Sequence, residues 1–159
     1  MNQSQHNRDV GRRQAMIVVG GGGLAVAGLA LLPQAALADA GAVAEAMKGL
    51  IGDRKPQEGR ITLDLPQIAE NGNTVPLTVE IDSPMTEQDY CKAVHVFADK
   101  NPRPDVATFK FTPACGKAVA STRMRLAKTQ NVIAVAEMSD GSVYMAKSEV
   151  KVTIGGCGG

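Results

Sequence analysis

Residues 118–138, AVASTRMRLAKTQNVIAVAEM, decide the fold because their apolar side chains recur at every second position. In the first half, the side chains expected on one face are those of Ala118, Ala120, Thr122, Met124 and Leu126. Ser121, Arg123 and Arg125 alternate with them, and Val132 to Met138 repeats the pattern. A period of two is typical of β-strands, whose successive side chains point to opposite faces. This stretch therefore predicts two consecutive strands.

The same pattern continues on both sides of this stretch. Five more alternating or β-rich runs cover residues 61–65, 77–81, 90–98, 106–112 and 142–154. Turn-forming residues separate the runs, as in Asn71-Gly72-Asn73, Asp82-Ser83-Pro84, Asn101-Pro102 and Ser139-Asp140-Gly141. About seven strands without intervening helices predict an all-β domain over residues 59–154. We expect an immunoglobulin-like antiparallel β-sandwich.

A short N-terminal helix is predicted before the strands, over residues 39–52. Val43, Met47, Leu50 and Ile51 fall on one helical face, and Gly52 is a suitable C-terminal stop. Residues 53–59 are mainly polar and indicate a linker. We expect the helix to pack on the edge of the sandwich or on a partner subunit.

Residues 1–38 have the pattern of a cleaved export signal. Arg12-Arg13 precedes an uncharged stretch from Ile17 to Leu32, and Ala36-Leu37-Ala38 provides a cleavage motif. The paired arginines indicate the twin-arginine route. The uncharged stretch is shorter than the ~18–20 residues that cross a bilayer. We therefore expect a periplasmic protein that has no membrane attachment after cleavage.

Composition excludes several classes of function. The 17 Lys and Arg residues nearly balance 16 Asp and Glu, and only 3% of residues are aromatic, so a nucleic-acid partner is not expected. His95 is the only histidine beyond the signal, which leaves a metal site without enough ligands and favours a packing role. No Ser/His/Asp set or carboxylate pair stands out, so we expect neither a cofactor nor catalysis by this chain alone.

The three cysteines divide into a pair and a single residue. Cys91 and Cys115 lie near the ends of neighbouring predicted strands, and in an oxidising compartment they predict a disulfide. Two free thiols are the alternative.

Cys157 lies within residues 155–159, where its neighbours are Gly155, Gly156, Gly158 and Gly159. Glycines on both sides predict a thin, flexible carrier arm that could bring a nucleophilic thiol into a narrow channel of another protein. The alternative is a non-catalytic periplasmic interaction module whose C-terminal cysteine only forms an intermolecular disulfide.

The sequence resembles the SoxY family, the sulfur-carrier subunits of the bacterial thiosulfate-oxidising Sox system. The resemblance covers the whole chain. It is carried by Arg12-Arg13, Lys92–Pro102 (KAVHVFADKNP), Ala134–Gly141 (AVAEMSDG) and Val150–Gly159 (VKVTIGGCGG).

This resemblance implies an immunoglobulin-like fold and a covalent attachment point for sulfur intermediates at Cys157. It implies a heterodimer with a SoxZ-like subunit. It also implies three client enzymes: a periplasmic c-type cytochrome complex, a sulfate-releasing hydrolase and a molybdenum sulfane dehydrogenase. Cys91 and Cys115 are not part of the family pattern.

Overall fold

The computed structural model describes residues 35–156, which form one α-helix and eight strands. The elements are α1 (Ala35–Ile51), β1 (Ile61–Asp64), β2 (Ile68–Asn71), β3 (Val75–Ile81), β4 (Cys91–Ala98), β5 (Asp105–Lys110), a 3-10 helix (Pro113–Cys115), β6 (Ala118–Met124), β7 (Gln130–Met138) and β8 (Val143–Ile154). Residues 1–34 of the predicted export signal, with Arg12 and Arg13, lie outside the described residues. So do Cys157, Gly158 and Gly159.

The strands form two sheets, with the orders β1-β3-β6 and β2-β8-β7-β4-β5. Every pair is antiparallel except β2 with β8. The predicted all-β, immunoglobulin-like sandwich is therefore confirmed. The described chain differs from the expected arrangement in having an eighth strand and one parallel pair.

The strand missed in the sequence is β2, which lies beside the C-terminal half of β8. Ala69 pairs with Val152, and Asn71 pairs with Ile154. Only Ala69 is buried in this four-residue strand, and Ile68 is 61% exposed, so no alternation marks it. Strand β2 matters because it places the turn that follows it next to the end of β8.

The main core fills the space between the two sheets. Strand β3 is the clearest example of the predicted pattern, because Val75, Leu77, Val79 and Ile81 are all buried. The facing side chains come mainly from alternate positions of β4 and β7. Burial of these side chains from water is the dominant favourable contribution to folding.

Helix α1 covers the outer face of the five-stranded sheet, whereas the sequence predicted packing on the edge of the sandwich or on a partner subunit. Val43 and Ile51 of the helix are buried against Phe97 of β4, Val135 of β7 and Val143 of β8. This second covered face explains why β4 is buried at nearly every position and β7 is at least half-buried throughout, instead of alternating between buried and exposed residues. The sheet is therefore sandwiched between β1-β3-β6 and the helix.

The helix begins at Ala35, earlier than the predicted start at Asp39, since alanine-rich sequence favours helix. It ends at Ile51, and Gly52, the predicted stop, has φ +62° and donates its N–H to Lys48 O at 2.9 Å. The predicted linker is also partly ordered: Gln57 exchanges two 2.8 Å backbone hydrogen bonds with Val143 and Met145 of β8. No helix within residues 35–156 is long and apolar enough to span a bilayer.

Candidate functional site

The predicted attachment residue, Cys157, lies outside the described residues, but the chain leading to it is defined as far as Gly156. Strand β8 ends at Ile154, and Gly155 and Gly156 continue along the end of the sandwich. The base of the predicted arm therefore belongs to the described part of the chain.

Three backbone hydrogen bonds hold the arm base. Gly156 N donates to Leu126 O at 2.9 Å, and Leu126 N donates to Gly72 O at 2.8 Å. Gly72 N donates in turn to Ile154 O at 2.7 Å. The end of β8, the β6–β7 loop and the β2–β3 turn are thus joined through main-chain groups. We call this arrangement of Gly72, Leu126, Gly155 and Gly156 the glycine seat.

The seat leaves no space for side chains at its glycines. A Cβ on Gly155 would overlap Ala127 O, and one on Gly156 would overlap the carbonyl group of Gly72. Both overlaps are with backbone atoms of a closely packed region, which cannot easily move. Gly155 and Gly156 are predicted as flexible arm residues, but in the structure both are packed against backbone, and Gly156 is also hydrogen-bonded. Close packing therefore requires glycine at both positions.

A polar network built on Asn101 and the buried Gln130 joins the loops next to the seat. Asn101 Nδ2 donates to Arg125 O at 2.8 Å, and Ala127 N and Gln130 Nε2 both donate to Asn101 Oδ1 at 2.9 Å. Gln130 is 1% exposed, and its Oε1 accepts the N–H of Lys100 at 2.8 Å. These hydrogen bonds join the β4–β5 and β6–β7 loops to each other and so restrict their relative movement. Sequence reasoning marked Asn101 only as a turn residue and missed Gln130.

The loops around the seat are basic. The exposed side chains of Lys100, Arg103, Arg125 and Lys128 form what we call the basic rim. Asp99 is the one acidic residue within 99–104 and 125–129, and its carboxylate accepts two hydrogen bonds from Asn131 at 2.9 and 2.7 Å. These two loops next to the arm base therefore carry more positive than negative charge, which favours the approach of anions.

The structure differs from the predicted disulfide, because Cys91 and Cys115 are both free thiols. Cys91 is fully buried in the core, with its Sγ 3.5 Å from Ala93 O, whereas Cys115 is exposed in the 3-10 helix. Burial raises the pKa of the Cys91 thiol to about 11, so it is protonated at neutral pH. Since thiolate is the nucleophile, Cys91 is unsuited to carrying sulfur.

His95 has the structural role predicted for it. It is 5% exposed, with Nδ1 2.9 Å from Thr108 Oγ1 and Nε2 3.0 Å from Glu137 Oε1. Glu137 Oε2 accepts from Arg54, which also donates from Nε to Ile51 O at 2.8 Å. The chain of contacts ties the end of α1 to the sheet. Across residues 35–156, no group of His, Cys, Asp and Glu side chains could hold a metal ion.

Glu137→Gln is expected to make the protein less stable at neutral pH and less sensitive to acid. Burial alone would raise the pKa of Glu137, but the hydrogen bonds and charges of Arg54 and His95 outweigh it and lower the pKa. The stabilisation that ionised Glu137 gives the folded protein is therefore complete above about 4.3, the pKa of an unfolded Glu. It is lost as the pH falls through the lower pKa that Glu137 has in the folded protein.

Because Arg54 is partly exposed, we expect the free energy of unfolding to fall by about 1 kcal/mol at pH 7. Urea unfolding at pH 7 and pH 3 should show the difference shrinking at the lower pH. Glu149→Gln, at an exposed position of β8, is the matched control. Equal losses in both variants at both pH values would contradict this role for Glu137.

A comparison with protein-family models gives one assignment. The model described as sulfur oxidation protein SoxY matches residues 47–157 of this chain. The solved structure of the sulfur carrier protein SoxY from Chlorobium limicola f thiosulfatophilum is 37% identical to it. The match covers 72% of this chain and 99% of that one, with a TM-score of 0.62. No match was found among the curated proteins.

Other solved structures resemble this chain in fold alone. A superoxide reductase (neelaredoxin) from Ignicoccus hospitalis is 14% identical, covering 59% of this chain and 80% of its own, with a TM-score of 0.54. A putative superoxide reductase from Thermotoga maritima is 15% identical, covering 62% and 93%, with a TM-score of 0.52. Both likenesses concern the β-sandwich. The family match, by contrast, spans most of the sequence and reaches the predicted attachment residue. The chain therefore belongs to the SoxY family.

Proposed function

We propose that this protein is a covalent sulfur carrier of thiosulfate oxidation, which holds sulfur intermediates on Cys157 and presents them to client enzymes. The observation that carries the proposal is that the SoxY family match runs through residue 157. The geometry supports it, because Gly156, the residue before Cys157, is fixed at the end of the sandwich. The other two cysteines are less suitable, since one is buried and the other lies beyond the far end of β6.

The chemistry begins with the Cys157 thiolate. Oxidative joining to thiosulfate, with loss of two electrons, gives Cys–S–S–SO₃⁻. Addition of one water releases sulfate and two protons and leaves the persulfide Cys–S–S⁻. Oxidation of the outer sulfur with three waters releases six electrons and six protons and gives Cys–S–SO₃⁻. A second hydrolysis releases another sulfate and two protons, and it restores the thiolate.

The redox and hydrolytic steps belong to the clients in this proposal. A c-type cytochrome complex accepts the first two electrons, a sulfate-releasing hydrolase performs both hydrolyses, and a molybdenum sulfane dehydrogenase accepts the six electrons. The carrier contributes the nucleophile and its presentation. The basic rim suits a cargo that is anionic at every stage. We propose that the protein works in the periplasm after twin-arginine export, as a heterodimer with a SoxZ-like subunit.

Intact mass and peptide mapping of the protein from thiosulfate-grown cells test the proposal. We expect mass additions corresponding to persulfide and thiosulfonate on the peptide that contains Cys157, and reductant should remove them. Peptides containing Cys91 and Cys115 should remain unmodified. If Cys157 were found only in an intermolecular disulfide, or if adducts appeared only on the other cysteines, the carrier role would be refuted.

A further inference from the structure

The glycine seat depends on a residue far from the arm in sequence. Gly72 lies in the β2–β3 turn, where Asn73 N donates to Asn71 Oδ1 at 2.9 Å and holds the turn in shape. A Cβ on Gly72 would overlap Leu126 O and would lie 2.8 Å from Gly156 N and 2.9 Å from Val152 Cγ1. Gly72 is thus wedged between the last strand, the β6–β7 loop and the arm base.

The position of Gly156 limits where the carried sulfur can be. Cys157 is bonded directly to Gly156, and consecutive Cα atoms are about 3.8 Å apart. Any displacement of Gly156 therefore displaces the origin from which the thiol moves. For a thiol that must enter client enzymes, the point of departure sets the orientation in which carrier and client meet.

We propose that Gly72 is a positioning residue for the carried thiol: its turn holds Gly156 and so sets the point at which Cys157 leaves the sandwich. The inference rests on the proposed function, because it concerns the presentation of the same thiol. The dependence of the Gly156 position on Gly72 does not rest on the proposed function. It is supported by the hydrogen bonds and close contacts alone.

The surroundings of the seat are built to hold a fixed geometry. The β6–β7 loop, which accepts the Gly156 N–H at Leu126 O, is held by Asn101 and the buried Gln130. The β2–β3 turn is held from the other side by Ile154 O. A site supported on two sides by satisfied hydrogen bonds is preorganised.

Gly72→Ala tests the proposal, and Gly116→Ala is the matched control. Gly116 has φ +71°, so alanine there is also strained, but its Cβ would meet no atom within 4 Å. Gly116 follows the 3-10 helix before β6, whereas the seat lies after β6. Both variants lose stability, but only Gly72→Ala disturbs the seat.

Two readouts separate positioning from general destabilisation. The first is amide hydrogen exchange of Gly156 in the full mature chain, which we expect to become roughly tenfold faster in Gly72→Ala, as for the loss of about one hydrogen bond. The second compares thiosulfate-dependent cytochrome c reduction with alkylation of Cys157 by iodoacetamide. We expect kcat/KM with the client enzymes to fall roughly tenfold while alkylation changes less than about twofold, because a small reagent needs no docking.

Gly156→Ala provides a second variant if Gly72→Ala fails to fold. A Cβ on Gly156 would overlap the same turn, and Gly156 itself lies outside every strand. Faster exchange or slower turnover in both Gly72→Ala and Gly116→Ala would overturn the proposal, as would wild-type behaviour of Gly72→Ala in either readout. Hydrogen exchange is measured without a client enzyme, so its result can refute the positioning role of Gly72 without refuting the carrier role of Cys157. An absence of adducts on Cys157 would refute the carrier role and leave the exchange result intact.

Discussion

Cys157→Ser is expected to abolish thiosulfate-dependent turnover, by at least roughly 1,000-fold, while the fold and its stability stay unchanged. A serine hydroxyl is a far weaker nucleophile than a thiolate at neutral pH, and it cannot form the sulfur–sulfur bond on which the cycle depends. Cys157 follows Gly156, which lies after the last strand of the sandwich. Its replacement should therefore act on chemistry alone.

The other cysteines cannot replace it. Cys91 is fully buried, and its pKa of about 11 keeps it protonated. Cys115 is exposed, but it lies in the β5–β6 connection, at the end of β6 opposite the glycine seat.

Cys115→Ser is thus the matched control, since it also removes an exposed thiol and should retain full activity. The assay is cytochrome c reduction by purified Sox enzymes with thiosulfate, supported by circular dichroism melting curves. Turnover by Cys157→Ser, or loss of turnover in Cys115→Ser with Cys157 intact, would show that the sulfur is carried elsewhere.

Much of the fold could be predicted because local patterns and burial agree. Strand β3 alternates between buried and more exposed residues, as a half-buried strand requires, and the positions of residues 118–138 expected inside are buried or half-buried. Strand β2 could not be predicted, because its four residues contain one buried side chain and its pairing with β8 is non-local. The surface on which α1 packs could not be predicted either, because an apolar stripe on a helix does not identify the surface that it covers.

The candidate site, like the fold, could be predicted from the sequence only in part. The role proposed for Cys157 follows from the local sequence and from the family resemblance. The glycine seat joins residues 72, 126 and 156, whose proximity only the folded chain reveals. Sequence alone cannot distinguish a glycine that moves from one that fits against backbone, so the close packing of Gly155 and Gly156 could not be predicted.

The disulfide prediction failed for a related reason. An oxidising compartment and the presence of two cysteines do not determine the direction in which each side chain points. Cys91 begins β4 with its side chain in the core, whereas Cys115 faces solvent in the 3-10 helix. Two cysteines can form a bridge only if their Cβ atoms come close with suitable directions.

The contact between α1 and the sheet leads to the second large expected effect. Ile51 is 5% exposed and packs in the cluster that contains Phe97, Val135 and Val143. The preceding residue, Leu50, is 42% exposed. Two neighbouring aliphatic residues of the same helical turn therefore differ chiefly in burial.

Ile51→Ala is expected to lower the free energy of unfolding by about 2–4 kcal/mol, and Leu50→Ala by less than about 1 kcal/mol. The first change removes buried methyl groups and leaves a cavity over the sheet, whereas the second removes atoms that already contact water. Urea unfolding at a fixed protein concentration measures both values. A loss of 2–4 kcal/mol raises the unfolded fraction by roughly 30- to 1,000-fold.

Similar small losses in Ile51→Ala and Leu50→Ala would show that α1 is not part of the core, and the helix would then be a dispensable cover. A large loss confined to Ile51→Ala would make the helix a third layer of the domain. In that case removing residues 35–55 would expose Phe97, Val135 and Val143 together and also deprive Glu137 of Arg54. The sandwich without its helix would then carry an exposed apolar face and a Glu137 carboxylate that keeps His95 but has lost Arg54, and we expect it to aggregate rather than fold as an independent domain.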